Sequence, residues 1–198
     1  MISSAPPILR LASASPRRSA LLAQLGVAHE VAVADVDESA RPGEAPEALV
    51  VRLARQKAER GAQGSALPAL GADTIVCIDG RILGKPRDAA DATGMLRLLS
   101  GRGHRVLSGV ALATGDAVNI ALSSSRVVFR ELAPDEIAGY WASGEPRDKA
   151  GAYAVQGLAA RFISHLEGSY SGVMGLPLYE TAALLRSAGL LPPLGARP

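Results

Sequence analysis

A chain of 198 residues with 48% hydrophobic content can bury one sizeable core, and residues 1–198 read as a single domain with two lobes around a cleft. Basic and acidic residues are interleaved throughout, 8 against 7 in residues 1–60, 6 against 5 in 61–120 and 7 against 7 beyond, so no stripe for nucleic acid stands out. One cysteine, Cys77, excludes an internal disulfide and a thiolate zinc cluster; without a signal-peptide pattern or a membrane-length apolar run, the expectation is a cytoplasmic protein with neither nucleic-acid nor membrane partners.

The first apolar run, Ile8 to Ala12, is a strand. Ser15, Pro16, the apolar Leu21, Leu22 and Leu25, and then Gly26 supply a cap, a first-turn proline, a buried face and a terminating glycine for a helix. His29 to Ala34 alternates weakly towards strand, and Pro46 to Arg60 repeats the helical spacing through Leu49, Val50, Leu53, Ala54 and Lys57. Leu70 to Ile78 is β-rich and returns through Asp79-Gly80, a tight-turn dipeptide, to Arg81 to Leu83. Asp88 to Leu99 is a helix, Val106 to Thr114 and Val118 to Phe129 are long antiparallel strands, and Pro134 to Ser143 is another helix. Ala152 to Val155 and Phe162 to His165 are expected as strands, Pro177 to Ala188 as the last helix, and 191–198 as a loose tail. This order implies an α/β fold with a mixed sheet and flanking helices.

Several segments carry groups suited to phosphate chemistry. Ser13, Ser15, Arg17 and Arg18 lie between the first strand and the first helix, where free N–H groups and the helix dipole favour an anion; an ordinary Ser-Pro cap followed by solvated arginines has the same composition. Asp73 and Thr74 interrupt a strand otherwise suited to burial, and a buried carboxylate must be paired, metal-bound or protonated; Lys85, after the hairpin, is one candidate partner in a purely structural pair. Asp35, Asp37 and Glu38 could supply oxygen ligands for Mg²⁺ or form only a solvated acidic loop. Eighteen of the basic residues are Arg, so Lys57, Lys85 and Lys149 either mark places where a compact ammonium suits a crowded phosphate or metal site or are the few lysines left by chance. His104 and His165 have no second His or Cys at ligand spacing, and Ser123-Ser124-Ser125 reads as a polar strand face.

Five segments, SASPRR at Ser13 to Arg18, GADTIV at Gly71 to Val76, GKP at Gly84 to Pro86, DKAGAYAVQG at Asp148 to Gly157 and GSYSGVMGLPL at Gly168 to Leu178, together resemble the Maf family of nucleotide pyrophosphatases. The resemblance runs from about residue 8 to residue 188 and implies a Maf/inosine triphosphatase-like fold, a mixed twisted sheet with two lobes around a substrate cleft. It also implies a cytoplasmic enzyme, often a homodimer, in which a divalent metal, Mg²⁺ or Mn²⁺, assists attack of water between the α- and β-phosphates of a nucleoside triphosphate. Carried over residue by residue, it implies catalytic Asp73, Lys85 and Lys57, with Asp73 as proton acceptor; substrate-binding Ser13, Arg17, Arg18, Thr74 and Gln156; and Glu38 and Asp73 as metal ligands. Arg17, Thr74 and Gln156 correspond to positions associated with substrate choice.

Within the family the chain resembles the dTTP/UTP pyrophosphatase subgroup, with modified pyrimidine nucleotides as further candidates. The alternatives are the 7-methyl-GTP subgroup and a nucleotide-binding regulator of cell division through septum inhibition, with little catalysis. The Gln156 amide offers a donor and acceptors to a pyrimidine edge that carries both. Two positions depart from the family pattern: Gly172 stands where Asn is common, and Ser108 where Thr is frequent. Neither departure removes a charge, so both bear on local loop geometry.

Overall fold

The computed structural model describes residues 6–194. Strand β1 (Leu9–Leu11) leads to Ser15, whose hydroxyl accepts the Arg18 N–H at the start of helix α1 (Pro16–Gln24), and Gly26, at φ 74°, ends that helix. Strand β2 (His29–Val31) and a loop precede the long helix α2 (Pro46–Ala62). Strand β3 (Ala69–Ile78) turns through Asp79 and Gly80, both at positive φ, into β4 (Arg81–Leu83). Helix α3 (Ala89–Leu99), capped by Asp88, is followed by the long strands β5 (Gly103–Thr114) and β6 (Ala117–Phe129) and by helix α4 (Pro134–Ala142). Three 3₁₀ turns (Glu145–Asp148, Ala150–Ala152, Leu158–Phe162), strand β7 (Ile163–Glu167), short helix α5 (Tyr170–Met174) and helix α6 (Leu178–Ser187) complete the order.

Ala152 to Val155, expected as a strand, is not one. Gly151 and Ala152 sit at φ 68° and 58°, in the left-handed region that an extended chain cannot use, and the Ala154 N–H donates to the Tyr140 hydroxyl at 3.1 Å instead of to a ladder. The α5 turn, absent from the sequence-based expectation, is too short to show a helical period.

All seven strands form one mixed sheet in the order β2-β1-β3-β5-β6-β7, with β4 also paired to β3. The pairings of β1 with β2 and β3 are parallel and the others antiparallel. Along one edge of β3, β1 reaches only Ala69 and Leu70 and β4 only Val76 to Ile78. Asp73 and Thr74 therefore lie in a gap between two strands, where the loops leaving β1 and β4 can flank them.

Helix α2 covers one face of the sheet at close range. A Cβ at Gly71 would meet the Ala54 carbonyl oxygen at 2.3 Å and the Ala58 nitrogen at 2.4 Å, and one at Gly109 would meet the Val50 oxygen at 2.6 Å. Two apolar clusters share the opposite face. One joins Leu9, Leu22, Leu70, Val110 and Leu112 to Leu185 of α6, and the other joins Val76, Val106 and Phe129 to Leu96 of α3 and Tyr140 of α4. Between them the register lines up Thr74, Ser108 and Ser123 across three strands. Hydroxyls need partners when buried, so this polar row divides the apolar face into two lobes and leaves a cleft at its β3 end.

The serine run of β6 splits by strand alternation. Ser123 and Ser125 are buried on the lobe side while Ser124 is exposed, and the Ser169 N–H donates to Ser125 Oγ at 2.9 Å, seating the start of α5. Among the described residues no helix is long and apolar enough to cross a membrane. Leu191 packs half-buried against the α1–α6 cluster, whereas residues 195–198 of the expected loose tail lie outside the described residues.

Candidate active site

A cavity of about 560 Å³ opens at the gap in the β3 edge. Every residue to which the family resemblance assigns a role lines it: Ser13, Arg17 and Arg18 from the start of α1, Glu38 from the β2–α2 loop, Lys57 from α2, Asp73 and Thr74 from β3, Lys85 after β4, and Gln156 from the turn that follows Ala154.

The floor is acidic and tightly held. Asp73 and Lys57, 7% and 6% exposed, meet with Nζ 2.7 Å from Oδ1, and the same ammonium lies 2.5 Å from Oε1 of Glu38. The close seating of α2 on Gly71 is what brings Lys57 down to β3. Asp73 thus pairs with Lys57 and not with Lys85, which forms no ion pair among the described residues. Oδ2 of Asp73 accepts no hydrogen bond among the described residues, so one carboxylate oxygen is held and the other is open. Burial by itself would raise the Glu38 carboxyl; the Lys57 hydrogen bond and the charges of Lys57, Lys85 and Arg18 outweigh it and hold the group below its ordinary value. Of the three carboxylates in that loop only Glu38 reaches the cavity, and Asp37 accepts the Ser39 N–H at 2.9 Å.

One wall is cationic. Arg18 donates from Nε to the Gly175 carbonyl at 2.8 Å and from its terminal nitrogen to Ser13 Oγ at 3.0 Å, which fixes the guanidinium against the loop that opens α1. Burial presses Arg18 below its ordinary value while Asp73 and Glu38 raise it; a guanidinium remains charged in any case. Arg17 reaches across the cleft to Asp148 at 3.7 Å, and Asp148 in turn pairs with Lys149. Lys149 lines the cavity too, so all three lysines of the chain converge there. Their rarity among eighteen arginines was the signal that pointed to Lys149, which no motif assigned a role.

The Thr74 hydroxyl has a defined sense. Ser108 Oγ donates its only proton to the Gly172 carbonyl at 2.7 Å, so at 2.8 Å from Thr74 Oγ1 it can only accept, and the Thr74 proton goes to it or to the Gly175 carbonyl at 3.4 Å. Thr74 thereby presents an acceptor. The two departures from the family pattern, Ser108 and Gly172, are in direct contact with each other. A Cβ on Gly172 would stand 3.1 Å from the Ser169 side chain, so glycine here lets α5 fold tightly over the hydroxyl row. His104 is structural: it is buried between Phe129 and Tyr153, bonded to the Tyr153 hydroxyl at 2.8 Å, and burial lowers its pKa to about 4.

The family model for Maf, described as a Maf-like protein, matches residues 8–188. The chain belongs to the Maf family. Maf relatives of high similarity include proteins named dTTP/UTP pyrophosphatase from Cupriavidus metallidurans, 53% identical over 92% of this chain and 98% of that protein, and Bordetella parapertussis, 54% identical over 95% and 96%. A protein of the same name from Pseudoalteromonas atlantica is 49% identical over 92% of this chain and 98% of its own. Among solved structures, a HAM1 protein from Coxiella burnetii is similar over 63% of this chain and 73% of that one, at 21% identity and a TM-score of 0.46.

The Maf site also suits a hard divalent cation. No group of three or more His, Cys, Asp and Glu side chains gathers among the described residues, but Glu38 and Asp73 both face the point held by the Lys57 ammonium. Two carboxylates, with substrate oxygens and water for the remaining positions, is the donor set that Mg²⁺ favours.

Proposed function

We propose that this chain is a nucleoside triphosphate pyrophosphatase that hydrolyses dTTP and UTP to the monophosphate and pyrophosphate, with Mg²⁺ or Mn²⁺ held by Glu38 and Asp73. The observation that carries the reading is the buried Lys57–Asp73 pair at the floor of a cavity whose wall is Arg17, Arg18, Lys85 and Lys149. A triphosphate brings about four negative charges, and its hydrolysis depends on positioning and charge neutralisation far more than on covalent chemistry. The names of the relatives give the reaction and the bases.

Asp73 is the proton acceptor. Lys57 fixes Oδ1, which keeps the carboxylate oriented, while Oδ2 is free to take a proton from water as that water forms its bond to the α-phosphorus. The bond from that phosphorus to the bridging oxygen breaks and pyrophosphate leaves, its charge met by Arg17, Arg18 and Lys85. A bound cation adds charge neutralisation at the phosphate oxygens. Thr74, as an acceptor, and Gln156, as donor and acceptor, suit a uracil or thymine edge, which carries an N–H between two carbonyls. The methyl group that separates the two bases is worth only about 1–3 kcal/mol in an apolar pocket, so both are substrates.

The test is kcat/KM for dTTP, UTP, CTP and 7-methyl-GTP with each metal. Preference for dTTP and UTP is expected. Faster turnover of the methylated purine would overturn the base assignment, and nucleotide binding without pyrophosphate release above a catalyst-free control would overturn the enzyme reading.

A further inference from the structure

Gln156 sits on a turn between two short 3₁₀ turns, with no strand or α-helix adjoining it, yet a base-reading amide has to be held within a fraction of an ångström. Besides the turn's own bond from the Gly157 N–H to the Ala154 carbonyl at 3.1 Å, the hydrogen bonds that hold it come from outside the cavity. Glu145, at the start of the first 3₁₀ turn, receives the Leu158 N–H at 2.9 Å on one oxygen, and the Tyr140 hydroxyl at 2.7 Å and the Ala159 N–H at 3.4 Å on the other. The Tyr140 oxygen in turn accepts the Ala154 N–H at 3.1 Å. The backbone is thus gripped two residues before Gln156 and two and three residues after it, by one phenol and one carboxylate that touch each other.

The approach is close enough to dictate the residue next to Gln156. A Cβ at Gly157 would lie 2.2 Å from one Glu145 carboxylate oxygen and 2.5 Å from the other, so a larger residue fits only if that carboxylate is pushed off its partners. Tyr140 is itself fixed, buried at 4% exposure with its ring perpendicular to Phe162 at 5.2 Å. Burial and the hydrogen bond to Glu145 push its phenol well above the ordinary value, which keeps it a proton donor to the carboxylate. Neither Tyr140 nor Glu145 lines the cavity, whereas Tyr153, Ala154 and Gln156 do. The same Glu145 opens the turn that carries Asp148 and leads into Lys149, so the two chain segments of this wall share one anchor.

We infer that Tyr140 and Glu145 are positioning residues that set base selectivity by clamping the Gln156 turn. The inference rests on the reading of Gln156 as the base reader. When the Tyr140 hydroxyl is removed, Arg17, Arg18, Lys85 and the Asp73 floor, none of which it touches, are left in place, so the loss falls on discrimination between bases rather than on the chemical step.

The experiment is a double-mutant cycle on the ratio of kcat/KM for UTP to that for CTP, in wild type, Tyr140→Phe, Gln156→Ala and the double variant. Tyr140→Phe keeps the ring and removes only the hydroxyl, and should lower the ratio about five- to tenfold, mainly through KM for UTP. In the Gln156→Ala background the same change should alter the ratio less than twofold, because the group it positions is gone. Glu145→Gln provides a second entry to the cycle should Tyr140→Phe fold poorly, and faster amide exchange at Leu158 and Ala159 should accompany it. A full ratio in Tyr140→Phe together with a collapsed ratio in Gln156→Ala would overturn the clamp and leave the base reader standing. Additive losses in the double variant would also overturn it, since Tyr140 would then act elsewhere. An unchanged ratio in Gln156→Ala would overturn both the reader and the clamp, a result separable from the other two.

Discussion

Replacing Gly71 with Ala should damage the site without touching any residue that lines it. The new Cβ would stand 2.3 Å from the Ala54 carbonyl oxygen, 2.4 Å from the Ala58 nitrogen and 3.0 Å from its Cα, all backbone of α2 that no side-chain rotation can clear. Relief to even the shortest contact real Cβ atoms tolerate, 3.0 Å, requires α2 to retreat from β3 by about 0.7 Å. If the retreat carries Lys57 with it, the 2.7 Å bond to Asp73 lengthens to about 3.4 Å, the far edge of hydrogen bonding. Overpacking of this kind costs about 1–3 kcal/mol, and a loosened buried ion pair adds to it. Urea unfolding should therefore show a loss of at least ~1 kcal/mol with an unchanged m value, and kcat should fall by about tenfold or more. Gly94→Ala is the control: it lies in α3 with nothing within 4 Å of the added Cβ, so stability should hold or rise by up to ~1 kcal/mol and turnover should not change. Wild-type stability and turnover in Gly71→Ala would refute the claim that close seating of α2 positions Lys57.

Asp73→Asn should reduce kcat by about 10²–10⁴ while nucleotide affinity is largely kept, and a near wild-type kcat would remove Asp73 as proton acceptor. Lys149→Met should raise KM for dTTP and UTP about tenfold with kcat little changed, since it removes one ammonium from the cavity wall and leaves the Asp73 floor intact; unchanged kinetics would return Lys149 to the surface of the problem. His104 should make the fold acid-sensitive. Its native pKa lies at about 4 against 6.5 for the free group, so the unfolded chain binds the proton first and stability falls as pH drops from about 6.5 towards 4. The total is on the order of 3 kcal/mol, measurable as urea-unfolding free energy against pH, and His104→Phe should flatten that slope; parallel slopes would refute the assignment.

Much of the fold was legible because its signals are local. Ser15-Pro16 at the start of α1, the Asp79-Gly80 turn and the long alternation of β5 and β6 each depend on residues within one element, where propensity and backbone sterics decide. The stretch from Ala152 to Val155 departs from its expected strand for the opposite reason. Its composition suits a strand, but a tyrosine fourteen residues away takes the Ala154 N–H, and Gly151 and Ala152 turn left-handed around that contact.

The same division holds in the site. Motif chemistry identified which side chains line the cavity, because residue type and order survive in the sequence whatever the packing. Only the tertiary structure decided the pairings. Lys57 rather than Lys85 holds Asp73 because two glycines let α2 sit directly on the sheet, and a close approach of that kind is a property of two backbones and not of either segment. Only Glu38 of three neighbouring carboxylates reaches the cavity, and Ser123 and Ser125 turn inward while Ser124 faces out, because strand register and loop path select among chemically equal residues. The grip of Glu145 on the Gln156 turn reaches donors up to fourteen residues away through hydrogen bonds of fixed direction, which exist only once the chain has folded around them.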